Sequence, residues 1–98
     1  MFDQISINDA EFVTKERKAI LVDLRSKEEY ESGHIKGAIN IPMEEIEDGK
    51  FPFSSDRIFV LYCDHGIRSM RASKMLYEQG YRVINTVGGI YQYSGSIV

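Results

Sequence analysis

Two short, unbroken apolar runs, Ala19-Ile-Leu-Val22 and Ile58-Phe-Val-Leu-Tyr62, constrain the fold of this chain more than any other feature. Neither alternates with polar residues, which is the pattern of a strand covered on both faces rather than of one with a solvated side. Stretches of helical character separate and follow them. Ser6-Ile-Asn-Asp9 reads as a helix start, with Phe12 and Val13 facing inward and Lys15, Arg17 and Lys18 near the end. Ser26-Lys-Glu-Glu29 opens a brief helix with a capping box, and Gly33 ends it. Ala38-Ile-Asn-Ile41 is a short strand stopped by Pro42, and Met43 to Asp48 makes one or two helical turns. The clearest helix runs from Ser69 to Gln79, with Ala72, Met75 and Leu76 as its apolar stripe and Gly80 closing it. Tyr81 to Val87 is a further strand, after which Gly88-Gly89 turns into a short helical stretch. Strands alternating with helices predict an α/β fold, a mainly parallel sheet with helices on both faces.

The 98 residues are expected to form one domain, residues 1–98, large enough to bury a core without metal or disulfide. One cysteine forms no internal disulfide, no apolar run approaches a membrane span and no leader pattern is present, so a cytoplasmic location is expected. The net charge of −3 argues against nucleic acid as a partner, and nothing points to a membrane. Charge is unevenly spread: residues 1–57 carry 13 acids and 8 bases, whereas residues 58–98 carry 2 acids and 4 bases. Arg68 and Arg71, three apart near the start of a helix, share a face there and suit an anionic group nearby.

Parallel sheets of this type bind ligands beyond the carboxyl ends of their strands. Cys63 falls at that end of the strongest strand, Asp23 and Arg25 at that end of another, and Gly88-Gly89 at that of a third. The segment Cys63-Asp-His-Gly-Ile-Arg-Ser69 delivers a thiol into a Gly-containing turn that runs into a helix. Free N–H groups of such a turn and the positive end of the helix favour thiolate over thiol. A cysteine serving only as a small buried hydrophobe would sit inside the apolar run, not at its exit.

Three stretches together resemble the rhodanese family of sulfurtransferases in its single-domain form, over about Ala19 to Gly95. They are Asp23-Leu-Arg25 with Glu29-Tyr30, then Gly33-His-Ile-Lys-Gly-Ala-Ile-Asn40, and Cys63-Asp-His-Gly-Ile-Arg-Ser69 with Gly88-Gly-Ile90 downstream. The resemblance implies a ping-pong reaction in which Cys63 takes a sulfane sulfur from thiosulfate or a persulfide and passes it to cyanide or a thiol. It implies a loop in which the N–H groups of Asp64, His65, Gly66, Ile67, Arg68 and Ser69 curl around that sulfur. Gly66 would supply the tight backbone and Arg68 a planar hydrogen-bonded frame. Partners would be a small-molecule or protein persulfide donor and a thiol acceptor, with a sulfur-relay protein as one form of them. Lys36 stands where the family commonly has Pro, and Tyr93 where it often has Trp.

Asp64 departs most from this picture, because a carboxylate beside the nucleophile repels a doubly charged donor and favours a less charged one. Asp23 and Arg25 are expected to support the site structurally, Arg25 paired with Glu29 or another carboxylate and Asp23 accepting backbone N–H groups near the loop. Arg71 is a further supporting residue. His34 reads as a structural histidine, and His65 as a loop residue within reach of donor or acceptor. Two histidines and one cysteine far apart in the chain make no metal-ligand pattern, and no cofactor is expected. The acidic group Glu44, Glu45, Glu47 and Asp48 reads as a solvated face. Two alternatives remain: a non-catalytic or partner-dependent rhodanese-like module, which commonly lacks the cysteine, and a cysteine phosphatase or arsenate reductase. The second class uses a longer loop than the four residues between Cys63 and Arg68, and arsenate reduction usually needs another thiol.

Overall fold

In the computed structural model, which describes residues 1–98, the chain forms strand β1 (Asp3–Ser6), a 3-10 turn (Ile7–Asp9) and helix α1 (Ala10–Glu16). Strand β2 (Ile20–Asp23), helix α2 (Lys27–Ser32), strand β3 (Ile39–Asn40) and helix α3 (Met43–Glu47) follow. The chain then makes strand β4 (Ile58–Tyr62), helix α4 (Ile67–Glu78), strand β5 (Arg82–Val87) and a final 3-10 turn (Ile90–Gln92). The five strands form one sheet in the order β1-β5-β4-β2-β3, and every pairing is parallel. The two unbroken apolar runs are neighbours at its centre, with Ile20 opposite Phe59 and Asp23 opposite Tyr62.

Successive side chains of a strand point to opposite faces, so β4 feeds two cores. Phe59 and Leu61 pack with Met43 and Ile46 of α3 and Ala72 and Leu76 of α4. Val60 and Tyr62 pack with Ile7, Ala10 of α1, Leu21 and Ile84, with Tyr30 of α2 against them. All four of these β4 residues are fully buried, each worth about 1.5–3 kcal/mol of apolar burial for a large side chain. No helix is long and apolar enough to cross a membrane.

Local chemistry closes most elements as expected. Ser26 and Glu29 form the reciprocal capping box, Gly33 ends α2, and Pro42 precedes α3. Three expectations are corrected. Strand β1 was not foreseen: only Ile5 in it is strongly apolar, and its stability comes from lying alongside β5. Phe12 does not face inward but is 66% exposed. The chain first makes a 3-10 turn capped by Ser6, and α1 begins only at Ala10, so the inward positions are Ile7 and Ala10. Helix α4 starts at Ile67, two residues before Ser69, because Gly66 takes a left-handed conformation at its N-cap.

Of the carboxylates open to it, Arg25 takes Asp23 rather than Glu29. Glu29 is occupied by Ser26, and Arg25 Nη2 instead donates to Asp23 Oδ2 at 2.9 Å and to the Gly33 carbonyl at 2.6 Å. The one backbone N–H on the Asp23 carboxylate is that of Arg25, at 2.8 Å. The Tyr62 hydroxyl donates to Asp23 Oδ2 at 2.7 Å and accepts the Ile35 N–H at 3.1 Å. Burial, then the hydrogen bond and charge of Asp23, push the Tyr62 phenol far above its ordinary range, so it remains a donor. This network joins β2, β4 and the Gly33–Ile35 turn on the face away from α4.

Because Asp23 is wholly buried, Asp23→Ala leaves the Arg25 charge inside without its counter-ion, an expected loss of about 3–5 kcal/mol. Tyr62→Phe removes one hydroxyl and is expected to cost about 1–3 kcal/mol. Urea denaturation of the two variants checks the order; a loss below that of Tyr62→Phe in Asp23→Ala would contradict it.

Candidate active site

Cys63 continues the alternation of Phe59 and Leu61, so its side chain leaves β4 towards α4 and joins that core. It is fully buried. Its Sγ accepts the Gly66 N–H at 3.1 Å and the Ser69 N–H at 3.3 Å. These donors are the N-cap residue and a first-turn residue of the 12-residue helix α4, so the sulfur lies at the positive end of the helix. Gly66 has φ +98°, and a Cβ there would approach the Gly88 nitrogen to 3.3 Å. Both its backbone conformation and its surroundings therefore call for glycine.

The loop is held from the other side by the turn after β5. Ile90 N–H donates to the Cys63 carbonyl at 2.9 Å and Tyr91 N–H to the Asp64 carbonyl at 3.3 Å. Gly89 lies so close that a Cβ on it would come within 1.9 Å of the Asp64 oxygen. Ser69 Oγ bonds the Gly66 carbonyl at 3.1 Å, and Thr86 Oγ1 donates to the Leu61 carbonyl at 2.8 Å. Of these holding residues, Ser69 and the Gly88-Gly-Ile90 stretch carried a signal in sequence, the first within the cysteine segment and the second at the matching end of a strand. Thr86 acts through its hydroxyl and Tyr91 through its backbone N–H and its ring, and neither carried one.

The charged residues separate into pairs. Asp64 Oδ1 accepts the His65 N–H at 2.8 Å, and Asp64 Oδ2 lies 3.0 Å from Arg68 Nη2. Burial works to raise the Asp64 carboxyl, but the His65 N–H and the Arg68 guanidinium outweigh it and hold the group below its ordinary value. Asp64 therefore does not present an unpaired carboxylate to an incoming anion, and Arg68 frames the loop through that carboxylate. Arg71 turns away to Glu47 on α3 at 2.7 Å. The expected shared basic face of Arg68 and Arg71 is thus two separate ion pairs, and Glu47 is not merely solvated.

His65 stacks on Tyr91 with ring centres 4.7 Å apart, and Ile67, two residues further on, is 80% exposed. His34 is structural, stacked on Tyr30 at 3.8 Å with Nδ1 2.8 Å from the Tyr30 carbonyl. Asp23 and Arg25 bond to each other, to Tyr62 and to Gly33, and none of their side-chain hydrogen bonds reaches residues 63–69. No group of three or more His, Cys, Asp or Glu side chains converges as metal ligands would. The largest surface hollow, about 620 Å³, lies among Phe2, Arg17, Tyr77 and Arg82, near the amino end of β5 and away from Cys63.

With this geometry in view, residues 9–96 match the family model of the rhodanese-like domain. Over 93 residues the chain is 37% identical to the uncharacterized protein YqhL of Bacillus subtilis, covering 94% of this chain and 74% of that protein. It is 31% identical over 90 residues to the thiosulfate sulfurtransferase GlpE of Coxiella burnetii, covering 91% and 84% respectively. Among solved structures, a rhodanese-like domain protein from Staphylococcus aureus superposes with a TM-score of 0.83 at 28% identity, covering 97% of this chain and 94% of the other. Reduced Bacillus anthracis CoADR-RHD superposes with a TM-score of 0.79 at 33% identity, but this chain spans only 16% of its length while matching over 90% of its own.

The contact of Gly89 with Asp64 has a measurable consequence. Gly89→Ala is expected to displace the Cys63–His65 segment, losing more than about 2 kcal/mol of stability through overpacking at a left-handed position. Gly37→Ala, also at positive φ but with nothing within 4 Å of the added Cβ, is expected to lose only about 1 kcal/mol. Chemical denaturation compares them, and equal losses would mean that the Gly89 contact relaxes freely.

Proposed function

The chain belongs to the rhodanese-like family, and on that premise we propose that it is a sulfurtransferase working through a persulfide on Cys63. The observation that carries the reading is the convergence of the Gly66 and Ser69 N–H groups on Sγ at the start of α4. Those donors stabilise negative charge on sulfur without moving during the reaction. The resemblance to proteins named as sulfurtransferases supports the reaction class.

In the proposed first half-reaction the Cys63 thiolate attacks the outer sulfur of thiosulfate. A bond forms between Sγ and that sulfur, the donor's S–S bond breaks, and sulfite leaves with the bonding pair. With an organic persulfide as donor the leaving group is the thiolate. In the second half-reaction cyanide or a thiol takes the outer sulfur, and Cys63 is released as thiolate. The same N–H groups hold the negative charge of the thiolate and of the persulfide, so one loop serves both halves of the cycle. The donors and acceptors proposed are a small-molecule or protein persulfide and a thiol, including a sulfur-relay protein.

Intact-mass measurement after incubation with thiosulfate or an organic persulfide is expected to show a gain of about 32 Da, one sulfur atom, removed again by cyanide. Cys63→Ser is expected to take up no sulfur and to show no turnover, because an oxygen nucleophile there forms no persulfide. Retained turnover in Cys63→Ser would overturn the proposal.

A further inference from the structure

Arg68 is the loop side chain best suited to hold an anion, and it is already occupied. Its Nη2 is 3.0 Å from Asp64 Oδ2, while the other Asp64 oxygen caps the His65 N–H. The Asp64 carboxyl is held below its ordinary value, so the pair persists as ions at neutral pH. Arg71, three residues on, is taken by Glu47. The formal charges of residues 64–69 thus cancel. What remains positive at Sγ is the Gly66 and Ser69 N–H groups and the helix terminus, together roughly half a unit charge. That balances a singly charged sulfur species far better than a doubly charged one.

The loop and the turn bracing it also expose apolar side chains. Ile67 is 80% exposed, Tyr91 70% and Val87 54%. Tyr91 is fastened to the loop through the Asp64 carbonyl and its stack on His65. Val87 leads into Gly88, whose nitrogen faces Gly66. Apolar side chains left in water beside a reacting sulfur gain by covering an organic substituent.

Resting on the persulfide chemistry proposed above, we infer that Asp64 determines donor specificity. By occupying Arg68 it turns the site from doubly charged inorganic donors to a singly charged sulfane donor bearing an apolar organic group, which lies over Ile67 and Tyr91. An organic thiosulfonate illustrates the balance: Sγ bonds to its terminal sulfur, the S–S bond breaks, and an organic sulfinate leaves with the electron pair. One negative charge arrives with the donor and one departs with the sulfinate.

The test assays the full chain with cyanide as acceptor and either thiosulfate or benzenethiosulfonate as donor, at low and high salt. Asp64→Asn keeps an oxygen for the His65 N–H but frees Arg68. Because loss of the pair also bears on the loop itself, the readout is the ratio of kcat/KM for thiosulfate to that for benzenethiosulfonate, expected to rise about three- to tenfold at low salt and less as salt rises. Ile67→Ser is expected to lower the benzenethiosulfonate value at least about threefold more than the thiosulfate value. Equal effects on both donors in either variant, or no rise in the thiosulfate-to-benzenethiosulfonate ratio in Asp64→Asn, would overturn the inference while leaving sulfur transfer intact. Failure of the wild-type chain to take sulfur from either donor would overturn the underlying reading as well.

Discussion

Burial of β4 on both faces, with β2 and β5 bonded along its two edges, is the constraint on which the rest of the molecule depends. A strand placed there must alternate its side chains between two dry cores. Phe59 and Leu61 are committed to the α3–α4 side, and Cys63, the next residue in that series, has no other direction to take. The same step sends Tyr62 to the opposite face, where it closes over Asp23. Two neighbouring residues thus acquire unrelated surroundings: one a hydrogen-bonded ionic network, the other a sulfur held by amides.

A sulfur at the end of a strand is not in itself a reactive centre. What sets this one apart is that α4 begins four residues later, aimed so that free N–H groups at its start meet Sγ. Parallel topology produces this repeatedly, since a helix following a parallel strand starts at the strand's carboxyl end. The turn after β5 arrives at that end for the same reason, and its glycines allow it to press against the loop backbone. The surroundings of Cys63 therefore come from two consecutive connections at the carboxyl end of the sheet, one carrying the thiol and the other bracing its loop.

Much of this was legible beforehand. The apolar runs, the Ser26–Glu29 capping box, Gly33, Pro42 and Gly80 are local signals whose effect needs few distant partners, and they mark most of the elements found. Strand β1 was not legible, because its residues are stabilised by pairing with β5 some eighty positions away. Phe12 was misread because helical spacing shows a stripe but not which stripe a preceding 3-10 turn rotates inward. The loop and the Gly88-Gly-Ile90 stretch were found as residues, whereas the amide-to-carbonyl contacts by which Ile90 and Tyr91 brace the loop were not, since such contacts leave little trace in side-chain identity.

The sequence by itself determined the alternation of strand and helix, the parallel sheet that follows from it, and the position of Cys63 at the mouth of the strongest strand. Those properties depend on periodicity and on order along the chain, which a linear text contains. Only the tertiary structure decided which charges meet. Arg25 had Asp23 and Glu29 within reach, and burial beside Tyr62 chose Asp23. Arg68 and Arg71 looked like one basic face, yet the first is drawn back to Asp64 and the second across to Glu47. Ion pairing depends on distances of a few ångströms between side chains that several backbone paths bring together, and no spacing rule along a single chain specifies that.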